Sequence, residues 1–280
     1  MRLFLITSLA MIAFAANSVL NRLAVGAGHT DAESFALLRL LSGALMLAVL
    51  VWRRGVGFRQ PPLALAIGGV SLTLYMLGFS AAYRSLDAGL GALVLFGVVQ
   101  FTMVGWTVAR GGQITAVQTG GGALALAGLA LVLWPGGAVQ APLQGIALMV
   151  LAGLGWGAYS LAGRGAANPL GATAGNFWLS LVLTLALVPL MGWQPHMNLQ
   201  GAALAIVSGA ITSGVGYALW YSVLPALAGP LAATIQLSVP VIAIAAGAAL
   251  LGEVMAPRQI LGAVVVLGGI ALVLRGGRKA

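Results

Sequence analysis

The sequence has no cysteine, only four carboxylates, two histidines and one lysine, Lys279, in 280 residues. Without cysteine there is no disulfide, no thiolate metal site and no cysteine nucleophile, and the redox compartment leaves no mark. With its lysine in the tail, the chain lacks the G-x-x-x-x-G-K-[ST] loop that cradles nucleotide phosphates, so ATP cannot power it through such a loop. His29 and His196 fall in connecting segments, as do most of the acids, and no pair of titratable groups stands where a catalytic dyad, a metal site or a proton relay needs one. Neither an enzyme nor a cofactor is expected. Asp87 and Glu253 fall at helix ends, where caps or closure contacts are the expected roles.

Charge as a whole is scarce. Charged residues make up 6% of the chain and hydrophobic ones 61%, whereas a soluble domain carries roughly a quarter charged residues. Water cannot solvate most of this surface, so the chain reads as an all-α polytopic membrane protein. Apolar runs of about 20 residues, enough to cross a ~30 Å hydrocarbon core as helix, recur ten times: 3–24, 33–52, 62–83, 88–109, 113–134, 142–163, 169–191, 200–221, 228–250 and 258–275. Short alternating segments of the barrel type are absent. The connections are too short to hold a soluble domain. Arg2, an apolar stretch and Ala13-Phe14-Ala15 have the form of a cleavable leader. Cleavage there would destroy a sequence repeat described below, and the first span is read as retained.

The formal charge of +9 could suggest a nucleic-acid partner, but its distribution is topological. With the N-terminus inside, Arg2, Arg53, Arg54, Arg59, Arg110, Arg164, Arg275, Arg278 and Lys279 fall on one side. Arg22, Arg84 and Arg258 fall on the other, beside Asp31, Glu33, Asp87 and Glu253. The positive-inside bias then places both termini in the cytoplasm of a bacterial-type inner membrane, with the bilayer and a small-molecule substrate as the expected partners.

The chain nearly repeats itself. "FAANSVLNR" at 14–22 returns as "WGAYSLAGR" at 156–164, pairing Phe14/Trp156, Ala16/Ala158, Ser18/Ser160 and Arg22/Arg164. "GGQITAVQTGGGALALAGLALVL" from Gly111 returns as "LGEVMAPRQILGAVVVLGGIALV" from Leu251, pairing Gly112/Gly252, Gly122/Gly262, Ala123/Ala263 and Gly128/Gly268. Two echoes in the same order at nearly the same spacing indicate one duplicated unit, residues 1–137 and 138–280. Each unit holds five spans, an odd number, so the second enters the membrane upside down. Such inverted repeats are a feature of secondary transporters, whose two halves enclose a midplane site reachable from either face.

The aromatic-small-x-Ser opening of spans 1 and 6 and the Leu251-Gly252-Glu253 turn before "LGAVVVLGGIALV" resemble the EamA family of the drug/metabolite transporter superfamily. The likeness covers essentially the whole chain, and the first copy departs from it with Gln113 where the second has Glu253. Within the family the general likeness is to YddG-type exporters of aromatic amino acids. The resemblance implies export or exchange of amino acids or other small metabolites.

Candidate substrate contacts are the polar and aromatic side chains at mid-membrane depth, where exposure to lipid is costly. They are Asn17 and Ser18 on span 1, Trp156, Tyr159 and Ser160 at the matched place on span 6, and Tyr75, Trp178 and Tyr217 on spans 3, 7 and 8. On spans 4 and 9 they are Phe96, Gln100 and Gln236, with Gln100 at the place matched to Pro240. Arg39, about two turns inside span 2, shares a face with Ala32, Ala36, Gly43 and Met46; it could pair with a substrate carboxylate or snorkel to the headgroups. Pro240 cannot donate to the carbonyl of Gln236 and, with Gly97, marks a candidate gating hinge or a static kink. For the Ser and Asn side chains the plain alternative is helix–helix glue, with Gly153, Gly155 and Gly157 letting backbones approach. For the aromatics it is core packing. Trp52, Trp106, Trp134 and Trp193 fall near span ends, as an interfacial belt. A carrier exporting small amphipathic metabolites by alternating access is the first reading. A channel, a scaffold or an intramembrane lipid enzyme would have to explain the repeat differently.

Overall fold

The computed structural model describes residues 1–111, 115–133, 142–163, 165–227, 235–254 and 256–276. Gly112, Gln113, Trp134, Arg164, Arg278 and Lys279 lie outside the described residues. Among the described residues ten principal helices follow one another. They are α1 (Arg2–Asn21, continued by a π-helical turn Arg22–Gly26), α2 (Ala32–Arg54), α3 (Pro62–Ala82), α4 (Ala88–Ala109) and α5 (Ala116–Leu133). Then come α6 (Leu143–Gly163), α7 (Pro169–Leu187, closed by a 3-10 turn Val188–Met191), α8 (Leu199–Val223), α9 (Ser238–Leu251) and α10 (Pro257–Gly276). No strand occurs among the described residues, whose isolated β-bridge joins Thr30 to Met197. Seven of the helices are long and apolar enough to cross a membrane, and α5, α9 and α10 carry shorter apolar runs.

Helix ends follow the sequence. α2 starts where Asp31 accepts the Ser34 N–H at 2.8 Å and stops at Gly55, whose φ of 63° is left-handed. Asn168 and Asn198 cap α7 and α8 in the same way, accepting from Gly171 and Gly201. The connections 22–31, 83–87, 192–198 and 252–254 gather at one end of the bundle with all four acids, the acid-bearing end; 55–61 and 165–168 lie at the opposite end.

Lipid tails are as apolar as leucine, so close approach of backbones, more than the hydrophobic effect, holds membrane helices together. α3 packs on α6 and α7, α8 on α1 and α2, α4 on α6, α9 on α1, α2 on α7 and α4 on α9, while α5 and α10 pair to one side. The glycines of α6 carry much of this. A Cβ at Gly153 would meet Val98 of α4, one at Gly157 would meet Thr102, and one at Gly155 would lie 2.7 Å from the Ser71 carbonyl and 2.8 Å from the Tyr75 nitrogen of α3. Backbone cannot swing aside as a side chain can. Gly155→Ala is therefore expected to push α6 off α3 and lower stability by about 1–3 kcal/mol, the ordinary cost of overpacking. A thermal melt of the purified variant reads that loss, and an unchanged melting temperature contradicts the contact.

Candidate functional site

Arg39 is completely buried in the second turn of α2, roughly 10 Å below the acid-bearing end at 1.5 Å per residue. It does not snorkel: its guanidinium turns into the protein. Nε donates to Ser213 Oγ of α8 at 3.0 Å and Nη2 to the Tyr75 hydroxyl of α3 at 3.1 Å. The cation also lies 5.4 Å from the Tyr75 ring centre and 5.2 Å from that of Phe79, within cation–π range. Nη1 has no hydrogen-bond partner. Neutral hydroxyls and rings offset the burial only in part, and an ion taken from water without a counter-charge costs several kcal/mol. Close packing makes the site: a Cβ at Gly209 of α8 would run into Ser42 Oγ and the Arg39 carbonyl.

Below Arg39 the aromatic side chains converge. Trp156 of α6 is the hub, with ring centres 5.0 Å from Tyr75, 5.1 Å from Tyr217, 5.4 Å from Tyr159 and 5.9 Å from Phe14. Tyr217 of α8 also touches Phe14 and Phe177 edge-on, each at 5.6 Å. Five helices thus contribute rings to one buried cluster, and such pairs add about 0.5–1.5 kcal/mol each beyond area burial. Trp156 Nε1 and the hydroxyls of Tyr159 and Tyr217 are buried without partners. Native interiors satisfy nearly all such groups. A cluster of rings, unspent hydrogen-bonding atoms and one unneutralised guanidinium is suited to an amphipathic anion.

At the acid-bearing end, above Arg39, charged contacts join the helices. Arg22 Nη2 meets Asp87 Oδ1 and Arg22 Nε meets Glu253 Oε1, both at 3.3 Å, and Nη1 donates to the Tyr83 carbonyl at 3.4 Å. Glu253 also accepts the Ala88 N–H at 2.9 Å, so one carboxylate caps α4 and holds the end of α1. Burial, aided by the neighbouring Asp87 charge, raises the Glu253 carboxyl above its ordinary value; the Ala88 N–H and Arg22 oppose the rise without cancelling it. At the start of α2, burial also works against the Asp31 charge. Hydrogen bonds from Ser34, the His196 N–H and the Trp193 indole outweigh it and hold that carboxyl below its ordinary value. At the opposite end the contacts among the described residues include neutral ones. Gln60 Nε2 donates to Asn176 Oδ1 at 2.9 Å and Asn168 Nδ2 to the Gly57 carbonyl at 2.7 Å, beside a cavity of about 280 Å³ lined in part by Arg59, Gln60 and Asn176.

Similarity to known proteins fits this architecture. The sequence profile of the EamA-like transporter family matches residues 143–275. An uncharacterized protein of Pseudomonas aeruginosa is 47% identical over 285 residues, which span 100% of this chain and 97% of that protein. The chain belongs to the EamA-like transporter family. An uncharacterized transporter of Archaeoglobus fulgidus is 22% identical over 244 residues, 84% of this chain and 85% of its own. A solved crystal structure shares the fold, with a TM-score of 0.68 at 19% identity over 95% of this chain and 98% of the other.

In this EamA-like transporter Arg39, Tyr75, Trp156, Tyr159 and Tyr217 come together. Asn17 adjoins them in another role. Its Oδ1 accepts from Thr212 Oγ1 at 2.6 Å, Ser208 Oγ at 2.8 Å and Ser213 Oγ at 3.3 Å, so it ties α1 to α8 where α8 widens to a π-helix over Val207–Val215. Asn17→Ala would leave these hydroxyls without their acceptor. Unsatisfied buried groups cost about 1–3 kcal/mol, and a lower melting temperature with weakened substrate binding is expected; a variant melting like the parent would show the bonds to be dispensable. Ser18 is buried, and Ser160 donates to the Trp156 carbonyl of its own helix at 2.7 Å. Phe96 is buried in α4, and nothing crowds Gly97.

Other expected contacts are placed elsewhere. Trp178 is on the exposed surface of α7, 36% accessible, and joins no ring of the cluster. Gln100, buried with its Nε2 unpartnered, lines a recess of about 360 Å³ with Phe101, Gln118 and Ile270, between α4, α5 and α10. Gln236 is buried just before α9. Pro240 is the third residue of α9, and a turn at Leu237 parts α9 from the helical residues Ile235 and Gln236. Trp52 and Trp106 are exposed as a belt requires, but Trp193 is bonded to Asp31 and Ser34. Residues not expected as substrate contacts complete the site: Phe14, known from the repeat as the partner of Trp156, with Phe79, Phe177, Ser208, Thr212 and Ser213. Ser208 and Thr212 are one helical turn apart, and that spacing opposite Asn17 was the available signal.

Proposed function

We propose that this transporter moves small amphipathic metabolites bearing a carboxylate and an apolar or aromatic body, amino acids among them, across a bacterial-type inner membrane by alternating access, with both termini in the cytoplasm. The observation that carries this reading is Arg39: buried, without a counter-ion, one nitrogen unspent, and set against the Tyr75–Trp156 ring cluster. A guanidinium fork suits a carboxylate, and the rings suit the body attached to it.

The helix pairing supports two related halves, residues 1–137 and 138–280. Exchanging α1–α5 with α6–α10 turns the α3–α6 contact into α8–α1, α2–α8 into α7–α3, and α4–α6 into α9–α1, while α2–α7, α4–α9 and α5–α10 map onto themselves. Separable contacts at the two ends, ionic at one and neutral at the other, suit a carrier that opens them in turn. Counterflow into proteoliposomes tests the reading, with labelled phenylalanine, tryptophan, threonine and methionine beside neutral sugars and amines. Saturable, counterflow-stimulated uptake of carboxylate-bearing solutes is expected; linear flux of all solutes would make it a channel, and no flux would leave a scaffold.

A further inference from the structure

We infer that the buried site recognises the carboxylate of its ligand and no positive group, so that an aromatic monocarboxylate anion binds more tightly than the amino acid with the same ring. This rests on the carboxylate reading above and narrows it. Among the described residues Arg39 and Glu33 are the buried formal charges, and Glu33 is paired with Arg84 at the acid-bearing end, where the other three acids are also engaged, so Arg39 has no carboxylate beside it. A monoanion on Arg39 leaves the site neutral. A zwitterion brings an ammonium beside a guanidinium with no carboxylate to receive it.

The hydrogen-bonding atoms agree. Arg39 Nη1 and Trp156 Nε1, both unpartnered, can only donate, and the free Tyr159 and Tyr217 hydroxyls can donate as well. The neighbouring acceptors are all neutral: Ser213 Oγ and the Tyr75 hydroxyl already accept from Arg39, Asn17 Oδ1 takes hydroxyl donors from α8, and the Tyr159 and Tyr217 oxygens can accept but carry no charge. Asn21 Oδ1 is a free acceptor, one turn along α1 from Asn17 and held through Nδ2 by Ser80 at 3.1 Å. Neutral hydroxyls and a neutral carbonyl supply no counter-charge to an ammonium placed beside the guanidinium. Nor do the rings make an open cage for a cation. Arg39 itself lies over Tyr75 and Phe79, and Trp156 is stacked on Tyr159 at 5.4 Å.

Calorimetric titration of the purified, detergent-solubilised protein with 3-phenylpropionate, L-phenylalanine and phenethylamine separates the head groups on one ring and chain length. The expected order is 3-phenylpropionate at least tenfold tighter than phenylalanine, with phenethylamine silent. Phenylalanine binding as tightly as 3-phenylpropionate, or more tightly, overturns the inference while leaving the carboxylate reading standing; phenethylamine binding overturns both. Silence from all three ligands with a cooperatively melting protein sinks the carboxylate reading and the inference with it. Arg39→Lys keeps the charge but not the fork, and is expected to weaken 3-phenylpropionate at least fivefold with the order of ligands preserved; a reversed order counts against the inference.

Discussion

Arg39→Gln is expected to abolish high-affinity substrate binding while leaving the empty protein as stable as before, or more stable. The two effects separate a binding role from a structural one. An ordinary core residue loses stability when truncated, because packing and bonds are lost together. Arg39 is different because its charge is buried against neutral groups and rings, with Nη1 unspent. Removing an unneutralised ion relieves a desolvation cost, and the shorter amide can still reach for the hydroxyls of Ser213 and Tyr75. The ligand, in contrast, loses its counter-charge. Hydrogen bonds to charged groups contribute about 1.5–3 kcal/mol each, so loss of a forked contact lowers affinity by roughly a hundredfold or more at 1.4 kcal/mol per decade. Equilibrium binding and a thermal melt on the same preparation measure both. A destabilised variant with unchanged affinity would make Arg39 a structural residue.

The fold was legible because the membrane imposes it. Apolar runs of one length, punctuated by Asp31, Asn168 and Asn198 as caps and by Gly55 and Gly252 as stops, allow little besides a bundle of helices. Much of the ring cluster was legible too, since Tyr75, Trp156 and Tyr217 are deep aromatics on separate helices. Sequence gives a residue's depth far better than its rotation about the helix axis. Trp178 and Phe177 are neighbours on α7, and the structure turns Phe177 into the cluster and Trp178 to the outside. Arg39 shows the same limit: its depth admitted both snorkelling and burial, and the close approach of α8 at Gly209 decides for burial. The network of Asn17 depends on a π-helical widening of α8 that no residue pattern announces.

Arg22→Gln is expected to open the acid-bearing end. The wild-type guanidinium lies between Asp87 and Glu253 at 3.3 Å from each, and without it two carboxylates face each other across the junction of α1, α4 and the α9–α10 turn. Partly exposed ion pairs contribute up to about 1 kcal/mol each. The loss of two, followed by like-charge repulsion, shifts an open–closed equilibrium by roughly ten- to thirtyfold at 1.4 kcal/mol per decade. Because the chain has no cysteine, a single Ser80→Cys reporter gives a clean reading: its alkylation by a membrane-impermeant reagent added from the acid-bearing side should accelerate by that factor in the Arg22→Gln background. Equal rates would show that the ion pairs do not hold this end shut. The pH dependence has a definite sign. Burial raises the Glu253 carboxyl in the closed form, and opening to water returns it toward the ordinary value of about 4.3. The closed form therefore holds the proton more tightly, so acidification through the raised value toward the ordinary one favours closure, and that preference fades as pH rises above the raised value. Asp31, held low in the closed form, has the opposite sign but acts only at more acidic pH, where its bonds to Ser34, His196 and Trp193 are lost on protonation. Slower reporter alkylation on mild acidification, after correction for the reagent's own pH dependence, is the expected result. Glu253→Gln should flatten that response, and a response that persists unchanged in the Gln variant would place the titrating group elsewhere.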